Sequence, residues 1–181
     1  MKLQSRRIRL SLILCTIAMA PLGTIVQAQT KLEVSSTAFA PGAAIPARYT
    51  CSGEDLSPPL SFSGVPPSAR SLALIVDDPD APGGRFFHWV VYNLTPTTTH
   101  LDRAVSNAAV TSSSGAQGRN DFGRDGYGGP CPPPGKPHHY RFRLYALNNR
   151  IAPQAATGTG VEQAMEEHII GSAELVGTYG R

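Results

Sequence analysis

Beyond Arg9 the sequence has no run of adjacent lysine and arginine residues, and charge is sparse throughout. Only 16 % of its 181 residues are Asp, Glu, Lys or Arg, against about a quarter in an average globular chain. With Lys2, Arg6, Arg7 and Arg9 set aside, twelve of the 16 basic residues remain against 13 acidic ones. The formal net charge of +3 therefore belongs to the first nine residues. Such a body lacks the row of cations that neutralises a phosphate backbone, which argues against a DNA or RNA partner. It also carries no long-range field to steer a charged ligand. After Val26 no apolar run approaches the roughly 20 residues that span hydrocarbon as a helix. No heptad pattern, internal repeat or dividing linker is present. No Gly-x-Ser-x-Gly elbow occurs, and Ser112 to Ser114 have no recognisable partner, so no activated nucleophile is evident. No cysteine or histidine spacing matches a metal site, and no cofactor is implied.

What the chain does contain begins with a leader. Lys2 to Arg9 form a basic stretch, Leu10 to Val26 an apolar one interrupted by Pro21 and Gly23, and Val26-Gln27-Ala28 a small-residue ending. Residues 1–28 thus have the layout of a secretory signal peptide cleaved after Ala28. Residues 29–181 form one domain, exported to the periplasm or secreted, with no transmembrane anchor after cleavage. Arg6-Arg7 leaves the twin-arginine and general secretory routes both open, and the bulky Leu14 before Cys15 argues against lipoprotein processing. The exported chain keeps two cysteines, Cys51 and Cys131. An even count in an oxidising space suggests one bridge, and a pair of buried free thiols is the alternative.

With 16 prolines and 18 glycines, long helices have little room. Short apolar runs bounded by turn residues predict strands over Leu32–Ser35, Leu60–Ser63, Ser71–Asp77, Phe86–Leu94, His139–Ala146 and Ala173–Gly177. The run Phe86 to Tyr92 is apolar on both parities, which predicts a central strand covered on both faces. From Tyr140 to Ala146 the pattern alternates, predicting a core face of Tyr140, Phe142, Leu144 and Ala146 and a wet face of Arg141, Arg143 and Tyr145. Val161, Ala164, Met165, His168 and Ile169 recur at three- and four-residue steps, predicting a helix over Gly160–Ile170. The expected fold is mainly β: an antiparallel, Greek-key-like sandwich with one or two short helices near the C-terminus. The Ser/Gly/Asn/Asp-rich stretch 111–129 is long enough for a functional loop.

Four polar features stand out. His88 lies in the doubly apolar run, where an unpartnered imidazole costs roughly 1–3 kcal/mol, so something polar must meet it. His138 and Tyr140 stand two apart at the mouth of a strand and share a face. Asp78 and Asp80 occupy the turn Asp77-Asp78-Pro79-Asp80-Ala81-Pro82. The stretch Gly126 to Pro137 mixes glycines with five prolines, which fixes φ and removes donors, and predicts a rigid wall. Singly, each has a structural explanation in turn capping or a satisfied core histidine. Together they outline the rim of a pocket.

These segments, Asp78-Pro79-Asp80-Ala81-Pro82, Phe87-His88-Trp89-Val90-Val91-Tyr92-Asn93, Gly129-Pro130-Cys131-Pro132-Pro133-Pro134-Gly135 and His138-His139-Tyr140, resemble the phosphatidylethanolamine-binding protein family, nearest to its bacterial Raf-kinase-inhibitor-like branch. The resemblance extends from about Leu32 to Arg181. It implies an antiparallel sandwich with a small pocket at one end for the phosphate of a phospholipid head group or a similar anion. The implied ligand-binding residues are Asp78, Asp80, His88, Gly129, Pro130, His138 and Tyr140. Eukaryotic members often carry Trp where Phe86 stands. The C-terminal segment near the pocket entrance would be the helix around His168 together with Tyr179. Protonated His88 and His138, the Tyr140 hydroxyl and backbone N–H groups of the glycine loop are the expected donors to a phosphate. Asp78 and Asp80 favour the imidazolium forms and accept from a cationic arm.

The expected function is that of an exported binding protein for a small phosphate-bearing ligand or phospholipid head group, not an enzyme. A protease- or kinase-inhibitor type of interaction protein, in which the pocket is only regulatory, is the alternative, with its protein partner unspecified. A hydrolase using Asp78 and His88 ranks third.

Overall fold

A computed structural model describes residues 31–106 and 115–181. The leader and cleavage site expected over residues 1–28, and Ser112 to Ser114, lie outside the described residues. The strands are β1 (Glu33–Ser35), β2 (Leu60–Ser63), β3 (Ser71–Asp78), β4 (Phe86–Leu94), β5 (His100–Leu101), β6 (Ala116–Gln117), β7 (His138–Leu147) and β8 (Ile169–Tyr179), with one α-helix, α1 (Gly158–Met165), before β8. Two antiparallel sheets result, ordered β1-β2-β5 and β6-β4-β3-β7-β8. The fold is therefore the mainly β sandwich that the short, punctuated apolar runs require.

β3 reads Ser-Leu-Ala-Leu-Ile-Val-Asp-Asp and is buried along its whole length, because it occupies the middle of the larger sheet. This corrects the expectation that Phe86 to Tyr92 forms the central strand. β4 lies beside β3 and has only the two-residue β6 on its outer side, although both its faces are covered. Leu72, Leu74, Val76, Trp89, Val91, Tyr140, Phe142 and Leu144 fill the space between the sheets. Ala73, Ile75, Phe87, Val90, Tyr145 and Leu147 form a second core under Val161 and Met165 of α1. Two-sided burial accounts for the loss of strict alternation in β3 and β4.

The wet face expected for β7 is also corrected. Tyr145 is 9 % exposed and belongs to the second core. Arg141 and Arg143 both bond the carboxylate of Asp77, which is wholly buried, and Arg85 supplies a third guanidinium. Glu162 of α1 in turn binds Arg85 and Arg143. The guanidiniums face a buried acid, not bulk water, because the helix closes over this end of the sheet.

α1 begins at the Thr157 side chain, which accepts from the Gly160 N–H at 3.2 Å as an N-cap. It ends at Met165, and after one 3-10 turn (Glu166–His168) the chain enters β8. The expected helix through Ile170 is thus cut short, since backbone pairing along β7 from Leu147↔Ile169 to His138↔Tyr179 outweighs a local amphipathic pattern. Ile169 and Ile170 are consequently exposed. His168 bonds Asn148 just beyond β7, at the opposite end of the β7–β8 pair from Tyr179. It therefore does not reach the end of the sheet where His138 lies, contrary to expectation, whereas Tyr179 does.

Cys51 and Cys131 form a disulfide. The bridge ties the turn after the 3-10 segment Ala47–Tyr49 to the proline-rich stretch, and Cys51 N–H donates to the Pro130 carbonyl at 3.1 Å beside it. A loop of 80 residues closed in this way restricts the unfolded chain by about 4 kcal/mol on the loop-entropy model. Gly129 permits the close approach, because a Cβ there would lie 2.5 Å from the Tyr49 carbonyl oxygen.

Candidate functional site

The β3–β4 pairing contains the irregularity that builds the site. Val76 faces Trp89 and Asp77 faces Phe87, so His88 is an extra residue on β4, a β-bulge. Simple alternation would put His88 and Val90 on one face. The bulge instead turns His88 to the side of Tyr140, with ring centroids 5.2 Å apart. Ordinary alternation from Val76 puts Asp78, at the end of β3, on the same face.

There Asp78, His88 and His138 meet around a cavity of about 150 Å³, walled by Ala81, Pro82, Phe86, Phe122 and the run Cys131 to Pro133. The floor is polar and the walls are apolar. This cavity is smaller than the clefts of about 300–1,000 Å³ that hold drug-sized ligands, and suits a phosphate group with a short arm. A larger groove of about 500 Å³ lies between β1 and β8, but none of the proposed ligand residues lines it.

His88 is 3 % exposed, and its Nδ1 lies 2.7 Å from the Gly128 carbonyl oxygen. Only a protonated Nδ1 donates to a carbonyl, so Nε2 is the nitrogen left for a ligand. Burial pulls the His88 pKa below its ordinary value, against the opposing effects of the Gly128 carbonyl and the Asp78 carboxylate. Without a ligand His88 is thus a neutral imidazole over most of the physiological range. His138 Nδ1 donates to Asp78 Oδ2 at 2.8 Å, which fixes the orientation of its ring. Beneath them the Tyr140 hydroxyl is buried beside the Asp78 carboxylate. Burial first, then the nearby Asp78 carboxylate, pushes its pKa far up, so it remains a proton donor.

The other expected residues sit farther out. Asp80 bonds the backbone N–H and Nδ1 of His139 on the exposed rim, at 2.8 and 2.7 Å, and is not a lining residue. Those bonds hold its carboxyl below the usual carboxylate range. Gly129 and Pro130 are buried behind the wall. Gly128 N–H donates to the His88 carbonyl and Gly129 N–H to Asp55 Oδ1, at 2.9 and 2.7 Å. These two glycines therefore shape the wall and do not offer donors to an anion, which departs from the sequence expectation.

Phe122 was not among the expected site residues. It is 43 % exposed, lies edge-on to both Phe86 and His88, and has the Arg124 guanidinium over its ring. The buried Asn120 accepts from the N–H groups of Phe122 and Arg124, and Asp121 accepts from the Phe87 N–H, so the turn is held against β4. Asn120-Asp121-Phe122-Gly123 has the composition of a side-chain-capped turn, a signal that places the turn but not its packing against His88. Among the described residues no three His, Cys, Asp or Glu side chains cluster as a metal site, and no helix is long and apolar enough to cross a membrane.

The family model described as phosphatidylethanolamine-binding protein matches residues 35–180. A UPF0098 protein of Methanothermobacter thermautotrophicus is 48 % identical over 151 residues, covering 83 % of this chain and 99 % of the relative. A crystal structure of a phosphatidylethanolamine-binding protein homologue from Chlamydia trachomatis superposes with a TM-score of 0.76 at 41 % identity, over 84 % of this chain and 99 % of that one. YbcL of E. coli, described as a new member of the mammalian PEBP family, gives a TM-score of 0.78 at 35 % identity, over 83 % and 99 % of the two chains.

Proposed function

The chain belongs to the phosphatidylethanolamine-binding protein family, and on that premise we propose that it is an exported protein that holds, without turning over, a small phosphate-bearing ligand in the Asp78–His88–His138 cavity. One observation carries the reading. Three polar side chains, Asp78, His88 and His138, converge on one hollow of about 150 Å³, and the Tyr140 ring packs against His88 behind it. A buried imidazole and an imidazole–carboxylate pair facing one small hollow leave ring nitrogens and a carboxylate for a polar ligand, and an oxyanion with a cationic arm answers both. Export is supported by the leader layout and by the Cys51–Cys131 bridge, which suits an oxidising compartment.

The donors proposed for a phosphate are the Tyr140 hydroxyl and Nε2 of His88 and of His138, each ring donating there once it is protonated. Asp78 remains to accept from an ammonium or hydroxyl arm. Calorimetry with phosphoethanolamine, followed by phosphorus NMR of the mixture, tests the reading. Retention of the intact ester is expected. No heat of binding at millimolar ligand overturns the proposal, and release of inorganic phosphate replaces it with the hydrolase.

Proton linkage follows from the burial of His88. In the free protein its pKa lies below the ordinary histidine value, whereas an adjacent oxyanion favours the imidazolium and raises it. Between those two values binding takes up a proton, so affinity falls as pH rises through that interval and levels off above it. Glycerophosphoethanolamine is the suitable probe, because its phosphodiester keeps one charge throughout. An affinity that is flat between about pH 5 and 8 removes protonated His88 from the mechanism.

Tyr140→Phe separates binding from folding. Loss of the hydroxyl is expected to change thermal stability little, while phosphoethanolamine affinity falls by about tenfold, one hydrogen bond to an ion. Undiminished affinity places the hydroxyl outside the site.

A further inference from the structure

We propose that the Cys51–Cys131 bridge is a redox-sensitive clamp on the pocket wall, so that its reduction loosens the cavity and weakens ligand capture. The inference rests on the anion-pocket reading for its functional consequence, but not for the mechanical one. Cys131 lines the cavity directly, between the buried Gly126–Pro130 segment and the exposed Pro133–Pro137 stretch.

The attachments of this wall are unequal. Upstream of Cys131 it is sewn down: Gly128 N–H to the His88 carbonyl, Gly129 N–H to Asp55, Cys51 N–H to the Pro130 carbonyl, and the Tyr127 hydroxyl to the Tyr49 carbonyl. Downstream, prolines supply no N–H. Among the described residues, the hydrogen bonds holding Cys131 to Lys136 are Arg181 Nε–H to the Pro132 carbonyl and Gly135 N–H to the Arg181 carbonyl, and both rest on a single residue. The disulfide is the covalent attachment at the junction. Breaking it leaves Pro132 and Pro133, which line the cavity with His88, attached through two hydrogen bonds to Arg181.

Cys51 is exposed, whereas Cys131 is partly covered, so Cys51 Sγ is the sulfur open to attack. The reductant is a dithiol. Its thiolate bonds to Cys51 Sγ, the Cys51–Cys131 bond breaks, and Cys131 leaves as a thiolate that takes up a proton. The second thiol of the reductant, deprotonated, then displaces Cys51 and closes the reductant's own disulfide. Two electrons pass to the protein, which ends with two thiols, one of them on the cavity wall.

The test compares the full exported chain with and without dithiothreitol, well below the melting temperature. Phosphoethanolamine affinity is read by calorimetry and amide hydrogen exchange by NMR. We expect affinity to fall about fivefold or more, as preorganisation is lost. Exchange at Gly135 should quicken by about tenfold, while Gly128 and Gly129, held by their own hydrogen bonds, and the β3 amides stay protected. A Cys51→Ala/Cys131→Ala variant should sit at the reduced values and ignore dithiothreitol, which rules out an effect of the reductant itself. Affinity and exchange within about twofold of the oxidised protein overturn the clamp, as does global loss of protection, which would make the bridge a staple of the whole fold. If the oxidised protein binds no phosphoethanolamine, the pocket reading falls, and exchange at Gly135 alone decides the clamp.

Discussion

Replacing His88 by Asn is expected to remove ligand capture while leaving the fold in place. The Asn carboxamide N–H can take over the bond that His88 Nδ1 makes to the Gly128 carbonyl, so the wall keeps its attachment to β4. What disappears is Nε2, the nitrogen that becomes a charged donor when an anion arrives. A hydrogen bond involving an ion contributes roughly 1.5–3 kcal/mol, so phosphoethanolamine affinity should drop by about tenfold to a hundredfold. His88→Ala should lose both the ligand and some stability, because the Gly128 carbonyl is then buried without a partner. Calorimetry read beside thermal melting separates the two effects. Wild-type affinity in His88→Asn removes this residue from the site.

Asp77→Ala is expected to be the most destabilising single substitution at this end of the sheet. The Asp77 side chain is 0 % exposed and bonds Arg85, Arg141 and Arg143, whose side chains retain 32, 30 and 17 % exposure. Removing one partner of a buried ion cluster typically costs about 3–5 kcal/mol, since the remaining charges lose their compensation. The partial exposure of the guanidiniums lets water recover some of it, so the lower end, about 3 kcal/mol, is expected. For a domain of this size that corresponds to a fall in Tm of roughly 6–12 °C. Asp77→Asn should lie between the variant and the wild type. A decrease of less than about 2 °C in differential scanning calorimetry would mean that the cluster adds little to stability.

Asp77 and Asp78 are adjacent in a strand yet face opposite layers, one tied to arginines under α1 and the other to His138 in the cavity. The sequence marked Asp78 through the composition of the turn that follows it. It offered no mark for Asp77, because a carboxylate at the end of an apolar run looks like the start of that same turn. Arg141 and Arg143 alternate with apolar residues, and alternation reports only that two faces differ. Whether the polar face meets water or a buried acid depends on what a distant helix brings over it.

The same distinction runs through the helix and the bulge. The spacing of Val161, Ala164 and Met165 was legible and the helix is there, but Ile169 followed the helical period and lies in a strand. The unpaired backbone edge of β7 decided that, and periodicity does not register it. Likewise, His88 was conspicuous for its apolar company. The face it presents follows from a one-residue slip against β3 that no side chain of β4 announces.

The amino-acid order by itself determined that this chain forms short strands in a sandwich, that its first nine residues carry its excess positive charge, and that aspartate and histidine stand beside turns and a proline-rich stretch. Those properties are set by neighbours within a few positions: turn residues, two-residue alternation and the absence of a nucleophile with a base. The tertiary structure alone decided that Cys51 meets Cys131, that the glycine N–H groups are occupied inside the fold, that Asp80 turns outward to His139, and that Phe122 closes over the cavity. Each of these joins residues distant in sequence, and which distant surfaces touch is fixed by packing and register.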